Sequence, residues 1–416
     1  MSLHFDRRTF LKTAALAAGP AVLTASGANR KVNIGWIGVG IRGYAGLEWL
    51  HTACPNEVAI TAICDTYQGY IARAKDRMKT VWGTTPTTYS DYRDLVADKN
   101  VDAVFIMTPE HLHRDMTVAA LEAGKHVYIE KPLAHTIEQG FDIVRAWERS
   151  GKVVQVGTQN RSSSLYKKAK ELVQQGMIGD VHFVRAFWYR NSLNDNPAWR
   201  YPIPADATQQ NTDWDRFLGP APRLPWSPAR YFQWRLYWDY SDGISTDLLV
   251  HQTDIIHYML SKTVPQSAMA SGGIYRWRDD RDVPDTFSAI YEYDDDLQVN
   301  YSCYFGNDRY GYGEQLCGTE GTIEVLNRQD LYFTPERLTG KARQPIHLNG
   351  KDAFGESDGT LNHFRNFIQS VLGNEKPIAP PAIGQQAAIS GHLATLSFKN
   401  WKRVEWDEAT SNYRLI

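Results

Sequence analysis

The chain has 416 residues, room for two to three domains of ordinary size, with 43% hydrophobic and 22% charged residues. Lys+Arg number 45 against 47 Asp+Glu, a net of −2, so no overall basic field exists to hold nucleic acid or an anionic membrane. Collagenous, coiled-coil, disordered and multi-span membrane chains are excluded by the same figures, while 13 Trp, 22 Tyr and 15 Phe call for a large core or for aromatic ligand surfaces.

Residues 1–28 read as an export signal. Asp6-Arg7-Arg8-Thr9-Phe10-Leu11-Lys12 precedes a mild apolar run, Thr13 to Ala25, and the small residues Ser26-Gly27-Ala28. The run is too short and too small-sided to span a bilayer. Paired arginines followed by Thr-Phe-Leu-Lys match the twin-arginine pattern, which exports already folded proteins, so a periplasmic or other extracytoplasmic location is expected. Of the four cysteines, Cys54 and Cys64 flank one predicted strand and stand too far apart to pair. A Cys303–Cys317 bridge stays open, with free buried thiols the simpler reading.

Val32 to Gly38 forms a short apolar strand leading into Gly38-Val39-Gly40-Ile41-Arg42-Gly43, a G-x-G-x-x-G turn that opens a helix to about His51. A second apolar strand, Val58 to Cys64, ends in Asp65. Strand, glycine turn, helix, strand and terminal acid together specify a Rossmann unit. Gly38 permits the tight turn, Gly40 admits the pyrophosphate, and Gly43 lets helix and strand pack closely. The phosphates sit on the helix N-terminus, and Asp65 binds the adenosine ribose hydroxyls, which favours NAD over NADP. A helix over 67–79, a turn near Pro86, a strand over 101–107, a helix over 111–124, a strand over 126–129, a helix over 136–150 and a strand over 153–156 continue the alternation. That pattern predicts a doubly wound parallel sheet over 31–157, with ligands beyond the carboxyl ends of its strands.

Those strand ends carry Asp65, then Thr108-Pro109 with His111 and His113, then Glu130-Lys131-Pro132. Lys131, set beside the expected nicotinamide crevice, suits proton exchange with a substrate hydroxyl; the local sequence fits equally a lysine paired with Glu130.

After Gly157 the pattern changes. A basic amphipathic helix spans 163–175 and a long alternating strand 181–190. Residues 191–240 hold 11 aromatic residues and 7 prolines and read as an ordered irregular insert. Trp199, Trp214, Trp234 and Trp238 are either sugar-stacking platforms or loop packing. Then Asp247, His251 and Asp254 fall at i, i+4 and i+7 on one helical stripe: a catalytic set, a metal site or a buried polar network, metal being third because no completing ligand cluster exists elsewhere. Antiparallel strands are expected from 266 to about 333, helices near 358–372 (capped by Ser357 or Asp358) and 381–400, and a tail over 402–416.

Taken in order, the glycine turn, Thr108-Pro109, Glu130-Lys131-Pro132 and Asp247-x-x-x-His251 resemble the glucose–fructose oxidoreductase / inositol dehydrogenase / rhizopine-catabolism (Gfo/Idh/MocA) family, from about Lys31 to Trp401. The stretch from Asp213 to Tyr258 is similar to an exported bacterial branch with an enlarged C-terminal part. The resemblance implies an α/β chain with an N-terminal NAD(P)-binding Rossmann domain and, over 158–401, an α+β domain with a mostly antiparallel open sheet. It implies Lys131, Asp247 and His251 as the catalytic set, and a homodimer or homotetramer associating through that sheet. The candidate cofactor residues are Gly38, Gly40, Ile41, Arg42, Gly43, Asp65, Thr108, Pro109, His113, Glu130 and Lys131. Candidates for the substrate wall are Arg161, Tyr166, Trp188, Arg235, Trp238, Asp254 and His363, with His111 and His113 beside them; no metal is expected.

The expected activity is oxidation or reduction of a hydroxyl on a sugar or glycoside, with Lys131 and His251 moving the proton and Asp247 holding the substrate and orienting His251. Export with scarce external NAD implies a cofactor loaded before export and kept. A retained cofactor also permits redox-assisted glycoside hydrolysis, as in some exported relatives, an N-acetylgalactosaminidase group among them. A non-catalytic sugar or dinucleotide sensor is the third reading, and the intact Lys131/Asp247/His251 set argues against it.

Overall fold

The computed structural model of the protein describes residues 31–416 apart from 295, 341 and 357, so the expected export signal and Ser357 cap lie outside the described residues. Six parallel strands form the first sheet: β1 (Val32–Ile37), β2 (Val58–Cys64), β3 (Thr87–Tyr89), β4 (Ala103–Ile106), β5 (His126–Ile129) and β6 (Val154–Val156), in the order β3-β2-β1-β4-β5-β6. Such strands are covered on both faces, which is why β4 reads Ala-Val-Phe-Ile and is wholly buried. The order reverses between β1 and β4, so the loops after these strands splay apart and leave a crevice at their carboxyl ends. Helix α1 (Ile41–Ala53) follows the glycine turn, α2 (Gln68–Trp82) follows β2, and the short α3 (Tyr92–Ala97) follows β3. The sequence pattern does not announce β3 or α3; three residues hold too few alternations to show a period. α4 (His113–Glu122) and α5 (Ile137–Ser150) complete this layer, the latter capped by the Thr136 hydroxyl accepting from Gln139 N–H.

The second sheet has ten strands. β7 (Val181–Tyr189) runs parallel to β10 (Leu297–Tyr304), and every other pairing is antiparallel. Beside these lie β8 (Ser267–Gly273), β9 (Thr286–Tyr293), β11 (Tyr312–Gly318), β12 (Gly321–Leu326), β13 (Asp330–Pro335) and β14 (Ile346–Asn349). The alternating burial of β9 and β10 shows one face packed and one turned outward. Residues 402–416, expected as a tail, instead form β15 (Val404–Asp407) and β16 (Asn412–Leu415), with Val404 paired to Ala268 of β8. Val404 and Trp406 are buried, and four-residue strands are again too short to read from a single sequence. Cys303 on β10 and Cys317 on β11 have β7 between them, two strand spacings apart, and all four thiols are free.

Three helices cover the packed face: α6 (Ser164–Gln174), α9 (Val250–Leu260) and α12 (Pro381–Asn400). α12 touches α5 on one side and β8 on the other, tying the two layers together. α11 (Thr360–Val371) packs back on α1, where Phe364 and Phe367 set their edges against the stacked rings of Trp36, Phe105 and Tyr128. A segment far past residue 157 therefore completes the core of the first layer. The insert at 191–240 is ordered around two short helices, α7 (Trp214–Leu218) and α8 (Pro228–Phe232), and one more short helix, α10 (Gly350–Phe354), follows β14.

Candidate active site

The glycine turn requires glycines at two of its positions. Gly38 has φ +89°, and a Cβ there would meet Met107 O at 2.8 Å; a Cβ on Gly43 would lie 1.9 Å from Gly38 O. At Gly40 the space ahead is open apart from the Tyr70 ring, which leaves the start of α1 free for a phosphate. Asp65 locks this end. Its Oδ2 accepts Val39 N–H at 2.8 Å, and its Oδ1 accepts Tyr67 N–H and the Tyr231 hydroxyl, both at 3.0 Å. Tyr231 belongs to the insert, which fastens there a second time: Asp213 N–H donates to Thr66 O at 2.7 Å, and Arg216 pairs with Asp91 at 3.2 Å. Sequence reasoning missed this clasp, because no local pattern links residue 231 to residue 65.

At the far end of the crevice, Lys131 Nζ donates to Asp247 O at 2.7 Å and to Asp247 Oδ1 at 2.9 Å. Arg235 Nε donates to the same Oδ1 at 3.0 Å. Burial alone would raise the Asp247 carboxyl, but the Lys131 and Arg235 charges outweigh it and hold the group well below the usual carboxylate range. Asp247 sits in a widened helical turn, Ser245–Leu249, running straight into α9. Glu110, on the loop after β4, secures that turn by accepting Asp242 N–H at 2.6 Å and the Thr246 hydroxyl at 2.9 Å. From the other side His392 and Lys399 of α12 reach Asp242 at 3.1 and 3.2 Å. Thus both layers fix where Asp247 points.

His251 lies one turn on, 7% exposed, with Nδ1 buried and lacking a hydrogen-bond partner. Burial, then the positive charges of Lys131 and Arg328, push its imidazole well below its ordinary value, so it stays neutral at pH 7. Glu130, the third strand-end acid, does not pair with Lys131. It accepts Arg42 Nε at 3.0 Å and Arg42 Nη2 at 2.9 Å, which frees Lys131 for Asp247.

One cavity of about 370 Å³ joins both ends. Gly38, Gly40, Ile41, Arg42, Asp65, Thr108, Pro109, Glu130, Lys131, Trp188, Arg235, Asp247 and His251, all anticipated from sequence, line it. Of the four tryptophans proposed as platforms, Trp199 and Trp234 reach its wall, whereas Trp214 packs in the insert on Phe217 and Trp238 lies under Lys399, 4.0 Å from its ring centre.

Several expected wall residues are structural instead. Asp254 takes a buried, two-oxygen hydrogen bond from Arg161 Nε at 2.9 Å, so the stripe predicted for Asp247, His251 and Asp254 splits and neither Arg161 nor Asp254 faces the cavity. Tyr166 donates to buried Glu314 at 2.8 Å. His363 is fully buried, donating from Nε2 to Val156 O and accepting from Ser162, both at 2.8 Å. His111 donates to Phe217 O at 2.8 Å. His113 lies between Pro132 O at 2.8 Å and Thr108 O at 3.0 Å, holding two strand-end loops together rather than touching the crevice. Each is a polar group bonded to partners inside the core, although His111 Nδ1 is left without one. Missing from the sequence reading were Gln159, Arg190, Tyr201 and Arg328, which line the cavity from turns and strand ends without any motif. Among the described residues no cluster of His, Cys, Asp and Glu is arranged to hold a metal ion, and no helix is long and apolar enough to cross a membrane.

The glycine cradle, the open helix start and the acid at the end of β2 fit a dinucleotide. Comparison with known proteins agrees. Residues 32–158 match the model of the oxidoreductase family with an NAD-binding Rossmann fold, and residues 220–324 match the GFO/IDH/MocA C-terminal domain. An inositol 2-dehydrogenase/D-chiro-inositol 3-dehydrogenase of Lactiplantibacillus plantarum is 27% identical over 366 residues, 88% of this chain and 90% of that protein. A glycosyl hydrolase family 109 protein of Shewanella sp. (strain W3-18-1) is 35% identical, but over 155 residues only, 36% of this chain and 33% of that protein. The solved structure of levoglucosan dehydrogenase with NADH and levoglucosan superposes with a TM-score of 0.72 at 19% identity, covering 90% of this chain and 99% of that one. With both halves matched and the motifs in their expected order, the chain belongs to the GFO/IDH/MocA family of NAD-binding oxidoreductases.

Proposed function

We propose that the protein oxidises a secondary hydroxyl of a sugar or polyol, or reduces the matching carbonyl, with Lys131 and His251 handling the proton. The observation that carries this is the placing of Lys131, fixed by Asp247, and of a neutral His251 in the cavity that also holds the glycine turn. When bound, NAD supplies the two-electron acceptor for the carbinol carbon. Two of the three Lys131 N–H groups are spent on Asp247, and the third remains to hold the substrate oxygen as negative charge develops on it. An imidazole nitrogen of His251 takes the hydroxyl proton. Asp247 stays ionised throughout and keeps the lysine in place. Trp188, Trp199, Tyr201 and Trp234 offer rings to the apolar faces of a sugar. The inositol dehydrogenase aligned over nearly the whole chain supports a polyhydroxylated substrate.

Export and assembly belong to the same proposal. The Arg7-Arg8-Thr9-Phe10-Leu11-Lys12 segment supports passage through the twin-arginine route to an extracytoplasmic site, and the insert's grip on Asp65 and Thr66 supports a cofactor kept during that passage. Exposed Met269 and Ile290 on the outward face of the second sheet support a homodimer or homotetramer built through it. The decisive experiment follows NADH formation by purified protein with a panel of sugars and polyols, beside leaving-group release from aryl glycosides. NADH formation upholds the dehydrogenase. Glycoside cleavage without net NADH would replace it with redox-neutral hydrolysis, the reading favoured by the family 109 alignment.

A further inference from the structure

The cavity wall around His251 is unbalanced in charge. Arg42 is paired with Glu130, and Lys131 and Arg235 share Asp247. Arg216, also in the cavity wall, is paired with Asp91 and Asp213, which leaves two guanidinium groups, Arg190 just past the end of β7 and Arg328 in the turn between β12 and β13. Neither has a carboxylate within ion-pair distance among the described residues. Each lies instead against one ring, Trp188, at 5.0 and 5.1 Å, and Arg328 is also 5.5 Å from Tyr312. Trp188 is in turn 5.8 Å from the His251 ring.

Two donors here have no acceptor. Arg328 Nη2 and Trp188 Nε1 are buried without a hydrogen-bond partner. A buried donor left unsatisfied is destabilising, and a charged one more so, unless a ligand supplies the acceptor. The Arg328 charge acts on the Glu314 carboxyl, but that group is engaged by the Tyr166 hydroxyl and burial pushes it up to about 7, so it is a weak counter-charge. The backbone adds a second sign. Arg328 has φ +57°, a left-handed conformation that glycine or asparagine adopts with less strain, so the turn alone does not ask for arginine.

We propose that Arg190, Arg328 and the indole N–H of Trp188 form an anion subsite beside His251, and that the sugar oxidised at Lys131 carries a carboxylate, as a uronate or a sugar acid does. The inference rests on the dehydrogenase reading for the word "oxidised" and on the cavity wall alone for the anion. Planar guanidinium groups match a carboxylate through paired N–H···O bonds, and the contact of both with the Trp188 ring holds them on the same side of the cavity. Both arginines come from the second sheet, whereas the glycine turn that cradles the cofactor phosphates belongs to the first.

The test uses the full protein with NAD and three matched probes: a hexuronate, the neutral hexose and the hexose phosphate. Quenching of tryptophan fluorescence reports binding separately from NADH formation. Tighter binding and a 10- to 100-fold higher kcat/KM for the uronate than for the hexose are expected, with that preference collapsing in Arg328→Gln and, as a second variant, in Arg190→Gln. The uronate KM should carry most of the change. Equal handling of hexose and uronate overturns the subsite while leaving the dehydrogenase intact. Selective turnover of the phosphate overturns the carboxylate assignment. Weakened NAD binding in both variants with the uronate preference unchanged would move these arginines to the cofactor and overturn the proposal. Uronate binding without oxidation of any probe upholds the anion subsite and removes the dehydrogenase reading instead.

Discussion

Asp247 stands between two cations, and its chemistry follows from that position. Lys131→Met removes the N–H that faces the substrate oxygen and leaves the glycine turn untouched. Turnover should fall about 10²- to 10⁴-fold with NAD affinity retained, checked by single-turnover rates beside NAD titration. An unchanged rate would remove Lys131 from the mechanism. Asp247→Asn keeps the shape but leaves Lys131 and Arg235 side by side with a neutral acceptor. We expect turnover to drop at least tenfold and stability to fall by about 1–3 kcal/mol, measured by denaturant unfolding. At this scale Lys131 was legible from its place after an apolar strand, but its partner was not. Local sequence suits Glu130 as well as Asp247, and only the Arg42–Glu130 ion pair decides the matter.

Among the elements, the β1–α1 junction and the insert govern the cofactor. Gly43→Ala drives a Cβ into Gly38 O, backbone that cannot swing aside, so α1 must shift away from β1. Isothermal titration should show NAD affinity falling by an order of magnitude or more. Tyr231→Phe removes one of the three donors to Asp65 and loosens the insert without touching the glycine turn. The loss of about 1 kcal/mol corresponds to NAD release five- to tenfold faster by stopped flow. Were release unaffected, the insert would be a substrate wall and not a clasp. Elements with a clear signal were readable, β1 and β4 as continuous apolar runs bounded by turns and α6 by the amphipathic period that one-sided burial imposes. β3, β15 and β16 were not, being three or four residues long.

Across the whole molecule, buried histidines set the acid limit. Burial lowers His111 and His257 to about 3 and His126 and His363 to about 4, and pushes His113, His135 and His251 down as well. Below about pH 6.5 the unfolded chain takes protons on these rings and the folded chain does not, so acidification favours unfolding. Glu110 and Glu314, raised to about 7 by burial, act in the opposite sense, since the folded chain then binds a proton that an unfolded glutamate takes only near 4.3. The histidines outnumber them. Each net proton is worth about 1.4 kcal/mol per pH unit, and melting by calorimetry should show Tm falling steadily from pH 7 to pH 5. A Tm that rises on acidification would mean that the glutamates dominate.

The amino-acid sequence by itself determined the two-layer α/β architecture and the dinucleotide turn, while Lys131, Asp247 and His251 were pointed to by the family resemblance. The architecture and the turn are set by local rules: apolar runs and periods, the glycines a tight turn needs, and the acid that ends a strand. Tertiary structure alone decided which polar groups face the cavity. Asp254, Tyr166 and His363 carry the same chemistry as the site residues yet are satisfied by core partners far away in sequence. Arg190 and Arg328 bear no motif; Arg190 follows Trp188 at the end of β7, and the fold brings Arg328, in the turn between β12 and β13, against the same ring. A contact between residues distant in sequence leaves no local period to read, and this is where the substrate is chosen.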